Sequence, residues 1–195
     1  MSERLVVLVG PSGSGKSTIA LELEKRIAIR RVITCTTRVP RTGEVDGKSY
    51  RFFSWIDFLR RVHQKEFFEH AKVHDCLYGT LKADINQQLS SPELALLVMD
   101  IQGAELVYLR YPKAQIFFIT APFEQLVRRL NMRNMTAEER ERRKQVLFQE
   151  LGGERSICVK DVIDNPDGKF DVAVQQIVDI INEKLNDQHF GKPRC

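Results

Sequence analysis

The chain has 195 residues, a formal net charge of +4, 43% hydrophobic and 29% charged residues, which suits one soluble domain or one core with small insertions. No apolar run approaches the ~20 residues that span a bilayer, and the N-terminus lacks a signal peptide's apolar region, so a cytoplasmic protein without a membrane partner is expected. Cys35, Cys76, Cys158 and Cys195 lie far apart with no C-x-x-C pair, and the four histidines complete no metal spacing, which argues for reduced thiols and against a structural zinc.

In chain order, Leu5–Val9 is a short apolar run rich in β-branched residues, as expected of a strand buried on both faces. Gly10-Pro11-Ser12-Gly13-Ser14-Gly15-Lys16-Ser17-Thr18 follows at once, and then Ile19, Ala20, Leu23 and Ile27 recur at helical spacing. The order strand, glycine loop, helix is the context that a G-x-x-x-x-G-K-[ST] phosphate-binding loop requires. Glycines let the backbone amides turn inward as an anion nest, and the helix N-terminus adds its positive dipole end. Lys16 then reaches the β- and γ-phosphates of a nucleoside triphosphate, and the Ser17 hydroxyl ligates a magnesium ion.

Residues 34–82 break the rhythm with Pro40, Gly43, Gly47, a strand-like piece at 50–53 and a helical piece at 57–63, and read as an insertion with its own small fold. Trp55 is expected to pack beneath it, and His70 and His74 to be structural. Apolar runs at 94–99, ending on Asp100, and at 116–119 predict further buried strands, with helices at 103–110 and 123–130 and a weak strand at Val162-Ile163. A second insertion spans 133–153, with Thr136 and Glu139 spaced as a capping box and Gly152-Gly153 as its end. Residues 171–185 predict a closing helix, and 186–195 a polar, mobile tail. Alternating strands and helices imply a mainly parallel sheet with helices on both faces, a P-loop three-layer α/β/α fold.

Thr36-Thr37-Arg38-Val39-Pro40-Arg41-Thr42-Gly43-Glu44-Val45-Asp46-Gly47-Lys48-Ser49-Tyr50 narrows the chemistry. Arg38 and Arg41 are forks suited to phosphate oxygens, on a loop that Pro40 stiffens. Lysines and arginines also cluster between 128 and 144, which fits nucleic acid or bound phosphates alike on charge alone; the resemblance that follows favours bound phosphates and no nucleic acid.

With this T-T-R-x-P-R-x-G-E-x-x-G-x-x-Y segment, Phe67-Phe68-Glu69-His70-Ala71, Tyr78-Gly79-Thr80, Asp100-Ile101-Gln102-Gly103-Ala104 and Asn165, the chain resembles the guanylate kinase family over residues 4–185. The resemblance implies a core of 1–33, 83–124 and 154–185, a GMP-binding insertion of 34–82 and a helical lid of 125–153. It implies that Arg38, Arg41, Tyr50 and Tyr78 cradle the GMP phosphate, that Thr34, Glu69 and Thr80 read guanine, and that Glu44 and Gly79 belong to the same site. Residues 10–18 would hold ATP, Asn165 would contact adenine, and Asp100 would lie near metal and acceptor. Arg129, Arg133 and Arg143 would close over the transferring group, with Lys144 the alternative to Arg143. The activity implied is Mg²⁺-dependent transfer of the ATP γ-phosphoryl group to GMP and dGMP in purine metabolism, by a monomer or homodimer.

The chain departs from the family pattern at Val98, where an acidic residue is usual, at Asn134-Met135 and Lys144-Gln145 in the lid, and at Pro166 and Gly168 beside Asn165. A protein-interaction module with a degenerate lid is the second reading. A kinase for another phosphorylated acceptor is the third. The intact Lys16 and Ser17 oppose the former and the guanine readers the latter.

Overall fold

The computed structural model describes residues 4–73, 75–132 and 136–190. Its centre is a five-stranded, wholly parallel sheet of β1 (Leu5–Val9), β2 (Ile29–Arg31), β7 (Leu94–Val98), β8 (Gln115–Thr120) and β9 (Asp161–Asp164). The strand order is β2-β7-β1-β8-β9. β1 shows why its run carries no polar alternation. Val6 and Leu8 face a core made with Ile19 and Leu23 of α1 (Lys16–Arg26) and Val174, Ile177 and Ile181 of α7 (Phe170–Phe190). Leu5, Val7 and Val9 face the opposite core, with Ile85 and Leu89 of α3 (Lys82–Ser90) and Ala104 and Val107 of α4 (Ile101–Arg110). Two faces, each covered by helices, give the three layers expected of a parallel sheet.

The insertion builds a second sheet, ordered β4-β3-β6-β5, from β3 (Cys35–Thr36), β4 (Arg51–Phe52), β5 (Phe67–Val73) and β6 (Cys76–Leu81). Its cover is α2 (Trp55–His63), capped by Ser54, whose hydroxyl accepts from the Asp57 N–H at 3.0 Å. Phe58 of α2 is fully buried and stacks on Phe67 with ring centroids 4.3 Å apart, beside Cys35. Trp55, expected beneath the insertion, is instead 44% exposed. The helix turns Phe58 inward, and Trp55 occupies the first turn at its rim.

Between β8 and β9 lie α5 (Phe123–Asn131), α6 (Ala137–Gly152) and a 3₁₀ turn, Gly153–Arg155. α6 docks through Leu147, fully buried against Leu126 and Leu130 of α5. It ends at Gly152, as the glycine pair predicted, whereas the Glu139 half of the capping box lies outside the described side chains. α7 runs to Phe190, so the tail expected from 186 is helical for five further residues, and 191–195 lie outside the described residues. The sequence patterns gave no bounds for β2, β3, β5, β6 or α3. β2 and β3 are three and two residues long, too short for a period to register.

Candidate active site

In open parallel sheets, ligands bind beyond the carboxyl ends of the strands. Here β1 leads into the phosphate loop and β7 leads to Asp100. One cleft opens there. Its first wall is Gly10, Ser12, Gly13, Gly15, Lys16, Ser17 and Thr18. The second is Thr34, Arg38, Arg41, Tyr50, Glu69, Val73, Tyr78 and Gly79. Val98, Met99 and Asp100 line it between them, and Arg143 and Glu150 enter from α6.

The loop's glycines are required at two places by contact as well as by conformation. Gly10 has φ +134°, and a Cβ there would lie 2.1 Å from the Ile119 carbonyl oxygen. Gly15, at φ +96°, would place a Cβ 2.5 Å from the Asn165 amide nitrogen. No side chain caps the N-terminus of α1, and no acidic residue occupies its first turn. Its amide groups and dipole therefore face the cleft as an anion site. The Lys16 ammonium donates to the carbonyls of Gly10 at 2.7 Å and Pro11 at 3.0 Å, which holds its charge along the loop.

On the opposite wall, a register irregularity between Phe67 and Glu69 sets Glu69 directly across from Thr80. Thr80 donates its hydroxyl hydrogen to Glu69 Oε1 at 2.6 Å. Glu69 is 7% exposed. Burial pushes its carboxyl up to about 7, the nearby Asp100 charge pushes the same way, and the Thr80 hydrogen bond opposes both. Gly103 leaves room for this carboxylate, since a Cβ there would lie 3.2 Å from Glu69 Oε2. Thr80 itself is fully buried and reaches the site through Glu69.

Three arginines converge between the walls. Arg38 donates twice to Glu44, at 2.8 and 2.9 Å, and lies 5.5 Å from the centroid of Tyr50. Glu44 Oε2 also accepts the Arg41 N–H at 2.7 Å. Glu44 does not line the cleft; it orients the arginine loop from behind. Burial holds the Arg41 guanidinium below its ordinary value, and the charges of Arg38 and Arg143 lower it further. Arginines that crowd one another in this way make a site that favours an anion. Tyr50 and Tyr78 meet edge-on with centroids 6.2 Å apart on the same wall.

Asp100 caps α4 by accepting the Gly103 N–H at 3.0 Å, and it lines the cleft from that position. Arg143 is 6% exposed and donates to the Ser12 hydroxyl at 3.2 Å. Lys144, the alternative, pairs with Glu141 at 3.7 Å on the next face of α6. Farther out, Arg142 meets Asp75, at the tip of the β5–β6 hairpin, at 3.1 Å, so α6 touches the second sheet's hairpin.

Four expected site residues are placed behind the loop or outside the description. Asn165 is 4% exposed, and its amide donates to the Ser14 carbonyl at 2.8 Å. Arg129 donates to Asp167 at 2.7 and 3.1 Å, to the Asn165 carbonyl at 2.9 Å and to the Gly13 carbonyl at 3.3 Å. Both brace the phosphate loop and neither lines the cleft. Ser14 is likewise fully buried, and Arg133 lies outside the described residues. The sequence reading missed Glu150, Val73 and Met99. Glu150 had a signal, since 143, 147 and 150 share a helix face at i, i+4 and i+7.

The guanylate kinase family model matches residues 2–184. A guanylate kinase of Fusobacterium nucleatum is 42% identical over 136 residues, which cover 69% of this chain and 74% of that one. Another, from Trichormus variabilis, is 35% identical over 179 residues, covering 90% and 88%. The crystal structure of guanylate kinase from Anaplasma phagocytophilum superposes with a TM-score of 0.71 at 25% identity, over 92% of this chain and 85% of that one. A phosphate loop facing a buried carboxylate and an arginine cluster, matched over nearly the whole length, places this chain in the guanylate kinase family.

Proposed function

We infer that the protein is a nucleoside monophosphate kinase that transfers the terminal phosphoryl group of ATP to GMP, and to dGMP. The observation that carries this is a single cleft lined by Gly10, Ser12, Gly13, Gly15, Lys16, Ser17 and Thr18 on one wall and by Arg38, Arg41 and Glu69 on the other, which supports a triphosphate on the first and a guanine monophosphate on the second. Guanine offers N1–H and an exocyclic amine on one edge, and the ionised Glu69 accepts from both. Adenine cannot present that pair. A good bidentate base contact discriminates by about 1–3 kcal/mol, and a buried carboxylate left unpaired by the wrong base adds to that.

The GMP phosphate is proposed to lie against Arg38, Arg41, Tyr50 and Tyr78, with one oxygen aimed at the γ-phosphorus. The new P–O bond forms there as the bond to the β–γ bridging oxygen breaks and ADP leaves. The attacking oxygen is already anionic, so no strong base is required. Lys16 and Arg143 would neutralise charge on the transferring group. Arg129 and Asn165 would contribute by fixing the loop's backbone. A magnesium ion fits the donors present. Among the described residues, no group of three His, Cys, Asp or Glu could cage a metal. Mg²⁺ commonly takes one or two protein oxygens and completes its shell with phosphates and water. Ser17 and Asp100 line the same cleft and are the oxygens proposed to hold it, where it would withdraw charge from the phosphates. No helix among the described residues is long and apolar enough to cross a membrane, which suits the cytoplasm as its site of action.

Lys16→Met tests the assignment. Its turnover with ATP and GMP should fall by about 10²-fold or more, while GMP binding measured by calorimetry stays within about twofold. Full turnover in this variant would remove the phosphate loop from the mechanism.

A further inference from the structure

We propose that Glu150 is a positioning residue for phosphoryl transfer: its carboxylate pins α6 to the phosphate loop at Ser12 and so seats Arg143 over the cleft. The proposal rests on the kinase reading for its catalytic part and on geometry alone for its docking part.

Glu150 Oε2 accepts the Ser12 backbone N–H at 2.9 Å, and Oε1 lies 3.5 Å from the Ser12 hydroxyl. Arg143, seven residues earlier on the same helix face, donates to that hydroxyl at 3.2 Å. Between them Leu147 is fully buried against α5. One helix face thus holds an apolar anchor, a cation directed at the phosphates, and an acceptor for a loop amide. A carboxylate beside a loop built for phosphates opposes anion binding through its charge. Its presence is explained by what it holds. A guanidinium on a long side chain gains catalytic effect only when its geometry is fixed, and displacement by about 1 Å costs up to about 10²-fold. Ser12 is the point at which loop and lid agree on that geometry.

The competing account makes Glu150 a stand-in anion that nucleotide expels. It predicts that Glu150→Ala tightens ATP binding and leaves kcat unchanged.

The test uses full-length Glu150→Ala, Glu150→Gln, Arg143→Ala and the Glu150→Ala/Arg143→Ala double variant. For each, kcat, KM for ATP and GMP, and hydrogen exchange across α6 in the nucleotide-free protein are measured. Glu150→Ala should lower kcat about tenfold to a hundredfold, leave KM for GMP within about twofold, and speed exchange in α6. The double variant should be no slower than Arg143→Ala, because the two residues act as one unit. Glu150→Gln keeps an oxygen for the Ser12 N–H and the side-chain shape, and should retain activity within about threefold. Unchanged kcat, additive losses in the double variant, or a Gln variant as slow as Ala would each overturn the proposal. If the Ala variant fails to fold, Glu150→Asp, whose carboxylate is one methylene short of the Ser12 N–H, takes its place, and an unchanged kcat there overturns the proposal. If the wild type does not turn over GMP, the kinase reading fails on its own, and unchanged α6 exchange in the Glu150 variants would separately overturn the docking.

Discussion

At the residue scale, Glu69, the proposed guanine reader, would link burial to specificity through its protonation. Its carboxyl is raised to about 7 from an ordinary 4.5, chiefly by burial. The protonated form bears a hydrogen where guanine presents its own, so on the proposed assignment the ionised form would be the reader. With the value near 7, the ionised fraction rises from pH 6 to pH 8. The expected result is a KM for GMP that falls several-fold from pH 6 to pH 8. Glu69→Gln carries the titration of the substrate phosphate and none of the carboxyl's, so the difference between the two profiles isolates the residue. Parallel profiles for the two proteins would contradict the assignment. Stability runs the other way: the unfolded chain releases this proton near 4.5 and the folded chain near 7, so the fold loses stability as pH rises across that window.

Gly10 makes a different kind of residue-scale claim. Its Cβ-to-be lies 2.1 Å from the Ile119 carbonyl, which is backbone of the neighbouring strand and cannot swing aside. Gly10→Ala should cost at least about 1–3 kcal/mol. In a domain of this size a melting temperature falls roughly 2–4 °C per kcal/mol. A variant melting within 1 °C of wild type, about the error of such a scan, would mean that the loop conformation is not the one described. Glu44, within the binding motif, is not among the cleft-lining residues. Its carboxylate holds Arg38 and the Arg41 amide from the side away from the cleft.

At the scale of elements, the parts legible in the sequence were those whose chemistry is local. The phosphate loop announces itself because strand, glycines and helix must be contiguous. Asp100 was legible as a carboxylate ending a buried run, and its capping of α4 explains why it stays at that edge. The bracing roles of Arg129 and Asn165 were not legible, because they depend on β8, β9 and α5 delivering residues 36 apart to one carbonyl cluster. Choosing Arg143 over Lys144 needed the helix phase that burial of Leu147 fixes. Trp55 was misplaced because size suggests burial, whereas the phase of α2 selects Phe58. The short strands β2 and β3 exist because neighbours supply their hydrogen bonds, a property with no local signature.

At the scale of the whole molecule, the parallel sheet presents the phosphate loop on one wall of the cleft, while the second sheet presents Glu69 and α6 presents Arg143. α6 meets the phosphate loop at Ser12 and the β5–β6 hairpin at Asp75, while Arg51 with Asp84 and Arg31 with the Lys48 carbonyl tie the insertion to the α/β core. In the proposed kinase cycle, enclosure of the cleft would exclude water and protect ATP from hydrolysis. On the proposed assignment the acceptor's base would decide whether transfer occurs, because Glu69 of β5 lines the cleft across from the phosphate loop. The measurement that bears most directly on this account is ADP formation from ATP and Mg²⁺ with GMP, AMP, CMP and UMP supplied in turn. Turnover with GMP that exceeds the others by at least the about tenfold of a single bidentate contact is the predicted result. Equal turnover with AMP, or none with GMP while both nucleotides bind, would contradict it.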